Sequence, residues 1–367
     1  MAKNPFYTSD QVGIRESVVD EMLLLNPYDI PLISLVGFGE PITNIKHEWI
    51  EDELEADETT IDNSGGYADN DTSIVVADAS IFDADYVLKI GEELVKVTAV
   101  DAATNTLTVI RGYAGTAPAS IVDEQKVKFV FTEGVEGADA RTARKKQRVR
   151  LENYTQIFDE TIQVSGTAEA VSEYGISDLY NYERSKKMVE LSHRLEKAII
   201  NGIKYESGQV RQMGGVRSFV ETNVTDAQGS ALDMEMINDL AQDIYSKGGF
   251  RGGTQHVVLV PAKQKRALSA LDENKVIIQR NDNVRGQVVD SLVTDFGQFP
   301  IILDDNLEAN ELMIVDINRV SIHPIRGREF FHEFLGRQGD YTTGQIVGEY
   351  TLEFRQEKAH GRIRNLG

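Results

Sequence analysis

The sequence predicts an α+β protein in which a small β-rich unit is inserted into a larger body. Three observations lead to this fold class. Residues 66–132 contain five short strand-like segments separated by turn residues. Residues 177–201 instead have the spacing of one long amphipathic helix. The segments after it mix helices and strands without regular β–α–β alternation, so a doubly wound parallel sheet is not expected.

The composition is that of a globular protein with a large excess of acidic residues. Of 367 residues, 41% are hydrophobic and 26% are charged, which suits two or three domains with a sizeable core. Asp and Glu number 59 against 38 Lys and Arg, and the formal net charge is −21. Nucleic-acid binders usually carry a basic face, so this charge argues against DNA or RNA recognition as the main activity.

The expected cellular setting follows from what the sequence lacks. Cysteine is absent, which excludes disulfides, thiolate metal sites and cysteine nucleophiles. No apolar run approaches the roughly 20 residues that span a bilayer. Residues 1–10 lack the basic, apolar and small-residue order of a signal peptide. We therefore expect a soluble protein made in the cytoplasm, without a membrane partner.

Residues 1–45 are predicted to form an arm rather than a domain. Ser17–Leu25 has the pattern of a short helix, which ends at the two prolines of Asn26–Pro31 because proline disfavours helix in the residue before it. Leu32–Phe38 is apolar but too short to build its own core. We expect it to pack on later parts of the chain or on a neighbour.

Two runs of opposite charge flank the β-rich unit. Residues 47–62 carry eight acidic side chains and no Lys or Arg, whereas residues 141–151 carry six basic side chains and no acid. A single run is usually a solvated face, but two opposite runs can form the arms of a long antiparallel excursion, paired with each other or with a neighbouring subunit. The residues predicted to make subunit contacts are Glu51, Asp52, Glu53, Glu55, Arg144, Lys145, Lys146 and Arg148.

The unit between these runs is predicted to be a small barrel or sandwich. Its length is near the lower limit for an independent domain, which favours an insertion into a larger fold. The predicted strands are Thr72–Val76, Tyr86–Ile90, Leu94–Val100, Thr106–Ile110 and Val127–Phe131.

The remaining elements follow the long helix. Leu151–Val164 is predicted to be extended, and Ser177 is the expected N-cap of the helix that ends at Gly202. The later predicted elements are a helix over Leu232–Tyr245, a strand over His256–Val260, a helix with Pro261 at its first position, and strands over Ile301–Leu303, Leu312–Ile317, Arg319–His323 and, last, Ile346–Phe354.

No motif predicts a catalytic, cofactor or metal residue. Gly248–Gly253 follows a helix and precedes a strand, which is the reverse of a phosphate-binding loop. The six histidines form no close sequence pair of the kind that binds zinc, and no serine lies in Gly-x-Ser-x-Gly. The acidic pairs near residues 69–71, 83–85 and 304–305 lie beside predicted turns, where Asp caps the backbone.

Several short motifs do point to a known family. Thr8-Ser9 opens the chain, Asp29-Ile30-Pro31-Leu32 follows, and Lys46-His47-Glu48-Trp49 begins the acidic run. In the insertion, Gly91-Glu92 precedes a strand, and Thr108–Thr116 ends it with Thr-Val-x-Arg-Gly-x-x-Gly-Thr. These motifs and the layout resemble the major capsid proteins of tailed bacteriophages with the Hong Kong 97-type fold, and the phage SU-ten type in particular. The resemblance spans essentially the whole chain.

The resemblance implies a structural protein rather than an enzyme, which self-assembles through hexamers and pentamers into the icosahedral head of a tailed phage. It implies portal and scaffolding proteins as partners, leaves a decoration protein open, and requires no cofactor. Double-stranded DNA is enclosed without sequence-specific binding, and the protein is expected in the virion after assembly in the host cytoplasm. The implied division is an N-arm (1–45), extended-loop arms (46–65 and 133–165), an inserted β-domain (66–132), a peripheral domain with the spine helix (166–214 and 326–367) and an axial domain (215–325).

Three alternatives remain open from the sequence. An encapsulin-like nanocompartment shares the fold but encloses a cargo enzyme. An acidic glycoside hydrolase with two carboxylates is a different class, and Asp304 and Asp305 are the first residues to consider for it. A surface adhesin or fibre protein is suggested only by the β-rich insertion.

Overall fold

The chain divides into two units, Met1–Trp49 together with Arg150–Gly367, and Ile50–Val149. The computed structural model describes residues 30–134, 136–137, 146–171, 178–251, 255–271, 290–337 and 339–367. Several predicted features lie outside these residues: the helix Ser17–Leu25, the N-cap Ser177 and the predicted contact residues Arg144 and Lys145.

The elements are named here in chain order. The helices are α1 (Pro31–Val36), α2 (Gly166–Ala170), α3 (Leu179–Asn201), α4 (Val216–Phe219), α5 (Met234–Ser246) and α6 (Ala262–Ala270). The strands are β1 (Lys46–Glu51), β2 (Glu58–Thr60), β3 (Ser73–Val75), β4 (Tyr86–Ile90), β5 (Glu93–Asp101), β6 (Thr106–Ile110), β7 (Lys126–Thr132), β8 (Val149–Tyr154), β9 (Gln156–Ser165), β10 (Tyr205–Ser207), β11 (Val210–Gln212), β12 (Val224–Asp226), β13 (His256–Val260), β14 (Asp290–Thr294), β15 (Gly297–Leu303), β16 (Leu312–Asp316), β17 (Val320–Pro324), β18 (Phe331–Arg337), β19 (Tyr341–Phe354) and β20 (Gly361–Arg364).

Two larger sheets organise the first unit. In one, β19 pairs with β17 and β18 along one edge and with β9 along the other. The buried face of α3 packs on this sheet through Leu191, Leu195 and Ile199, which are fully buried. The other sheet has six strands in the order β12-β20-β16-β13-β15-β14 and is covered by α5. The prediction of an α+β body is therefore confirmed.

The second unit is a six-stranded antiparallel sheet in the order β2-β7-β4-β5-β6-β3. An isolated bridge between Ile61 and Val76 joins the two outer strands, so the sheet nearly closes on itself. Its interior is a separate hydrophobic cluster that includes Leu88, Val97 and Val127. Strand β2 lies in the stretch predicted as a loop arm, and it pairs with β7 because its Thr-rich sequence suits an extended backbone.

Helix α3 begins one residue later than the sequence indicates. Its N-cap is Asp178, whose Oδ1 accepts the N–H of Asn181 at 3.0 Å. The predicted C-cap Gly202 is confirmed. A side chain at Gly202 would collide with the carbonyl oxygens of Ala198 and Met213, so the close approach of these backbones requires glycine.

The N-terminal end of α1 is anchored on α3 by a buried carboxylate. A helix begins with N–H groups that have no partner inside the helix. Pro31 has no N–H, and those of Leu32 and Ile33 donate to Oε1 and Oε2 of Glu196 at 2.7 and 3.0 Å. The N–H of Ser34 donates to a backbone carbonyl, so the first turn of α1 is fully hydrogen-bonded.

One strand prediction was wrong, and the start of one helix differs from its prediction. Ile346–Phe354 was predicted as the last strand, but β20 follows it between β16 and β12, and β18 precedes it at the edge of its sheet. Pro261 caps α6 instead of occupying its first position.

Among the described residues, no helix is long and apolar enough to cross a membrane.

Candidate functional site

The two charged runs pair with each other within the chain. In the second unit, Lys146 Nζ lies 3.2 Å from Glu53 Oε2, and Arg148 Nε lies 3.1 Å from Asp52 Oδ2. In the first unit, Arg150 Nη1 lies 3.3 Å from Glu48 Oε2. The partners run in opposite directions along the sequence, as in an antiparallel ladder, and β1 and β8 form a two-stranded sheet.

A denser charge network surrounds Glu48 within the first unit. Lys46 Nζ contacts the carboxylates of Glu152 and Glu48, and Lys204 Nζ lies 2.8 Å from the other oxygen of Glu152. The carboxylates of Glu152 and Glu48 raise the pKa of Lys46 above its ordinary value. These groups are partly exposed, so solvent screens their charges, and the network fixes the register of the strands more than it adds stability.

Apolar side chains are exposed on the same ladder. Leu54 is 95% exposed and Ile50 is 65% exposed, and Val149 on the opposite strand is also exposed. Ile50 and Val149 lie between charged partners along the sequence and Leu54 directly follows Glu53, so the ladder presents both apolar and charged groups. Exposed apolar groups beside an open strand edge are typical of a surface that contacts another chain.

The residues predicted to make subunit contacts lie on this ladder where the structure describes them. Asp52, Glu53, Lys146 and Arg148 form the exposed ion pairs given above. Glu51 and Glu55 belong to the acidic run of residues 47–62; Glu51 is half-buried and Glu55 is exposed. The two charged runs thus pair within the chain, and their contact with a neighbouring subunit stays a prediction.

The sheet of β17, β18 and β19 carries a second exposed apolar surface along strand β18. Strand β18 pairs with β19 along one side, and its side chains Phe331, Phe334 and Leu335 are exposed, Phe334 by 62%. Tyr180 at the start of α3 contacts this strand through a 2.8 Å hydrogen bond between its hydroxyl and His332 Nε2. An edge strand with exposed aromatic groups is a second surface suited to a protein partner.

Asp304 and Asp305 do not form a pair of converging carboxylates. Asp304 is buried, and its Oδ1 accepts two hydrogen bonds at 2.9 Å from the N–H and the side-chain amide of Asn306. Asp305 is exposed. Asp304 therefore orders its own turn, as an Asp near a turn is expected to do.

One cluster of side chains was not suggested by the sequence pattern. His47 on β1, His323 on β17 and Glu353 on β19 converge in the first unit. His47 and Glu353 lie 306 positions apart, so no sequence spacing indicates that they meet. The Glu353 carboxylate raises the pKa of His323. Burial alone would raise the pKa of Glu353, but its contacts with His323, His47 and Arg355 outweigh burial and hold that pKa well below its ordinary value.

Three known structures share the fold over nearly the whole chain. The capsid of cyanophage A-1(L) matches with a TM-score of 0.56 at 10% identity, covering 98% of each chain. The capsid of a native GTA particle matches with a TM-score of 0.55 at 8% identity, again covering 98% of each chain. Microbacterium phage Oxtober96 matches with a TM-score of 0.51 at 11% identity, covering 98% of this chain and 99% of that one. At such identities the likeness concerns the fold alone.

The sequence comparisons identify one family. A family model described as SU10 major capsid protein matches residues 4–367, nearly the whole chain. No curated protein matches the chain.

Proposed function

The chain belongs to the SU10 major capsid protein family, and on that basis we propose that its charged ladder joins neighbouring subunits of a phage head. The resemblance found in the sequence is confirmed, as is the Hong Kong 97-type fold. The protein is a major capsid protein of a tailed phage, and it assembles with further copies of itself into the shell of the virion.

The observation that supports the ladder as a contact surface is its mixed exposure. Ion pairs such as Arg148–Asp52 hold the two strands in register, while Leu54 and Ile50 remain open to solvent. Burying such side chains against a neighbour stabilises the contact by roughly 1.5–3 kcal/mol for each large apolar group. Many contacts of this modest size suffice for a closed particle, because each subunit makes several at once.

The same proposal covers the finer roles that the family suggests. Residues 1–45 form the N-arm, 46–65 and 133–165 the extended-loop arms, and 66–132 the inserted β-domain. Residues 166–214 and 326–367 form the peripheral domain, and 215–325 form the axial domain. The role is structural, without a catalytic step.

The proposed partners follow from assembly and charge. The subunits form hexamers and pentamers in the host cytoplasm with portal and scaffolding proteins. The shell encloses double-stranded DNA, and the net charge of −21 supports this because an acidic wall repels DNA and lets the genome enter and leave without sequence-specific binding.

Charge reversal on the basic arm tests the contact surface. We expect the double variant Lys146→Glu, Arg148→Glu to remain folded, because both side chains are exposed, but to form no closed shells. Far-UV circular dichroism checks the fold, and negative-stain electron microscopy with sedimentation checks assembly. Lys126→Glu, Lys128→Glu is the matched control, because it makes the same charge change at exposed lysines that pair with Glu58 on the inserted sheet.

A charge swap separates pairing within the chain from contact with a neighbour. Adding Asp52→Lys and Glu53→Lys to the double variant Lys146→Glu, Arg148→Glu restores the two ion pairs with inverted sign. If charged groups of a neighbouring subunit outside the ladder pair with these residues, the swapped chain still fails to form normal shells, whereas normal shells from the swapped chain would show that these charges act by pairing within the chain. Normal shells from the reversed chain would contradict the proposed contact.

A further inference from the structure

Three segments that are distant in sequence bring two imidazoles and one carboxylate together. His47 lies on β1, His323 on β17 and Glu353 on β19, all within the first unit. The nearest nitrogen of each ring and one oxygen of Glu353 lie within 4.8 Å of one another. Two imidazoles with one carboxylate are a ligand set that proteins use for zinc.

The ligand atoms face one another at short distances. His47 Nε2 lies 2.8 Å from Glu353 Oε2, and His323 Nε2 lies 2.9 Å from the same oxygen. The His323 contact does not have the direction of a hydrogen bond, so this buried nitrogen lacks a hydrogen-bond partner among the described residues. Bonds from a zinc ion to histidine nitrogen and carboxylate oxygen are about 2.0–2.2 Å, so an ion between these atoms needs each histidine–carboxylate distance to lengthen by roughly half an ångström. It also needs the two ring nitrogens, which lie within 4.8 Å of one another, to stand about 3.3 Å apart.

The ring of His323 is already held in the orientation that a ligand needs. Its Nδ1 lies 2.8 Å from the carbonyl oxygen of Glu40, and because a carbonyl only accepts, Nδ1 carries the proton and Nε2 keeps its lone pair when the ring is neutral. A backbone carbonyl on the second ring nitrogen is the usual support of a metal-binding histidine. Gly39 leaves room for the ring, since a Cβ there would overlap it.

The electrostatics of the cluster favour a cation. Glu353 is 4% exposed at its side chain, and a buried carboxylate needs a positive partner. The two rings lie with their centroids 5.0 Å apart, so they would repel each other if both were protonated. Arg355 contacts the other oxygen, Oε1, and so leaves Oε2 to the two histidines.

From this convergence we propose that His47, His323 and Glu353 bind one divalent transition-metal ion, for which Zn²⁺ is the best chemical match. Because a ligand nitrogen must be unprotonated, binding of the ion displaces any proton from the two Nε2 atoms, and it leaves a fourth position for water. His47 and His323 are partly exposed, which gives the ion access from solvent. The bound ion ties β1 to the β17–β19 pair, so metal binding stabilises the fold of the first unit.

Cobalt substitution tests the site on the full chain. Purified protein is stripped with a chelator and titrated with Co²⁺, whose visible absorption reports a low-symmetry nitrogen and oxygen environment. We expect saturation at one ion per chain, displacement of Co²⁺ by Zn²⁺, and a higher melting temperature with Zn²⁺ than after chelation. Absence of saturable binding to the wild-type chain would overturn the proposal, whatever the variants do.

Variants assign the ion to these residues. His47→Gln and His323→Gln are each expected to weaken binding at least about tenfold, since loss of a ligand should cost no less than loss of a supporting group. His332→Gln, which changes a histidine outside the cluster, is expected to bind as the wild type does. If His47→Gln and His323→Gln retain wild-type affinity, the ion binds elsewhere and the cluster is only a histidine–glutamate ion pair.

Discussion

Replacing Glu196 with alanine should release α1 from the spine helix. Glu196 is fully buried, and its two oxygens accept the N–H groups of Leu32 and Ile33 at 2.7 and 3.0 Å. Its negative charge also lies at the N-terminal end of α1, where the helix dipole favours it. The alanine variant leaves both donors without an acceptor.

The expected loss follows from the two donors. A buried N–H left without a partner costs about 1–3 kcal/mol, so Glu196→Ala should weaken the attachment of α1 by about 2–6 kcal/mol. Glu196→Gln keeps one acceptor oxygen but turns an NH₂ group towards the second donor, so about half of that loss is expected. Helix α1 can detach locally, so the global free energy of unfolding changes less than these values.

Hydrogen exchange measures this local loss directly. A loss of about 2 kcal/mol raises the population of the open form by roughly thirtyfold, so the amides of Leu32 and Ile33 should exchange at least that much faster in Glu196→Ala. Glu190→Ala is the matched control, because it removes a carboxylate on the same helix that makes an ion pair near the surface. If the amides in Glu196→Ala exchange at the wild-type rate, Glu196 does not hold α1 and the reasoning fails.

Three further predictions concern single buried groups. Arg111→Ala should lower the stability of the second unit by about 3–5 kcal/mol in thermal melts, because it leaves the buried Glu93 carboxylate, 2.7 Å from the guanidinium, without its cation; a loss below 1 kcal/mol would contradict this. Burial lowers the pKa of His360 to about 3, so the folded state binds fewer protons than the unfolded state between about pH 6.5 and pH 3. The free energy of unfolding should therefore fall as the pH falls through that window, by up to about 1.4 kcal/mol per pH unit. Urea midpoints measured against pH should flatten in His360→Gln, and an unchanged slope would refute the assignment. Gly344→Ala should destabilise the chain by about 1–3 kcal/mol in thermal melts, because the added methyl group overlaps Tyr180 Oη and His332 Nε2. An unaltered melting temperature in Gly344→Ala would contradict the overlap.

Local sequence patterns correctly predicted those strands whose own residues form an apolar run or alternate between apolar and polar. The strand His256–Val260 was confirmed to the residue, because a continuous apolar run is bounded by polar residues and a proline. In the second unit, alternation and turn residues located strands such as Tyr86–Ile90 and Thr106–Ile110 at the observed bounds. These are short-range features, and the sequence displays them directly.

The features that the sequence did not predict depend on contacts between residues that are far apart in the sequence. Strand β20 has only Ile363 as a large apolar residue, and it is a strand because β16 and β12 pair with its two sides. Glu196 looks like a polar residue on a helix, and only the packing of α1 reveals that it is buried. The His47, His323 and Glu353 cluster likewise exists only in the folded chain.

The way in which the second unit is attached has a consequence for engineering. The chain enters that unit from β1 and leaves it through β8, and these strands pair with each other. Partner strands lie about 5 Å apart, so the gap to be closed after removing the unit is short enough for a tight turn. The position is thus a ready exchange point, where a hairpin or a foreign domain with neighbouring termini replaces the natural insert without rebuilding the remainder of the chain.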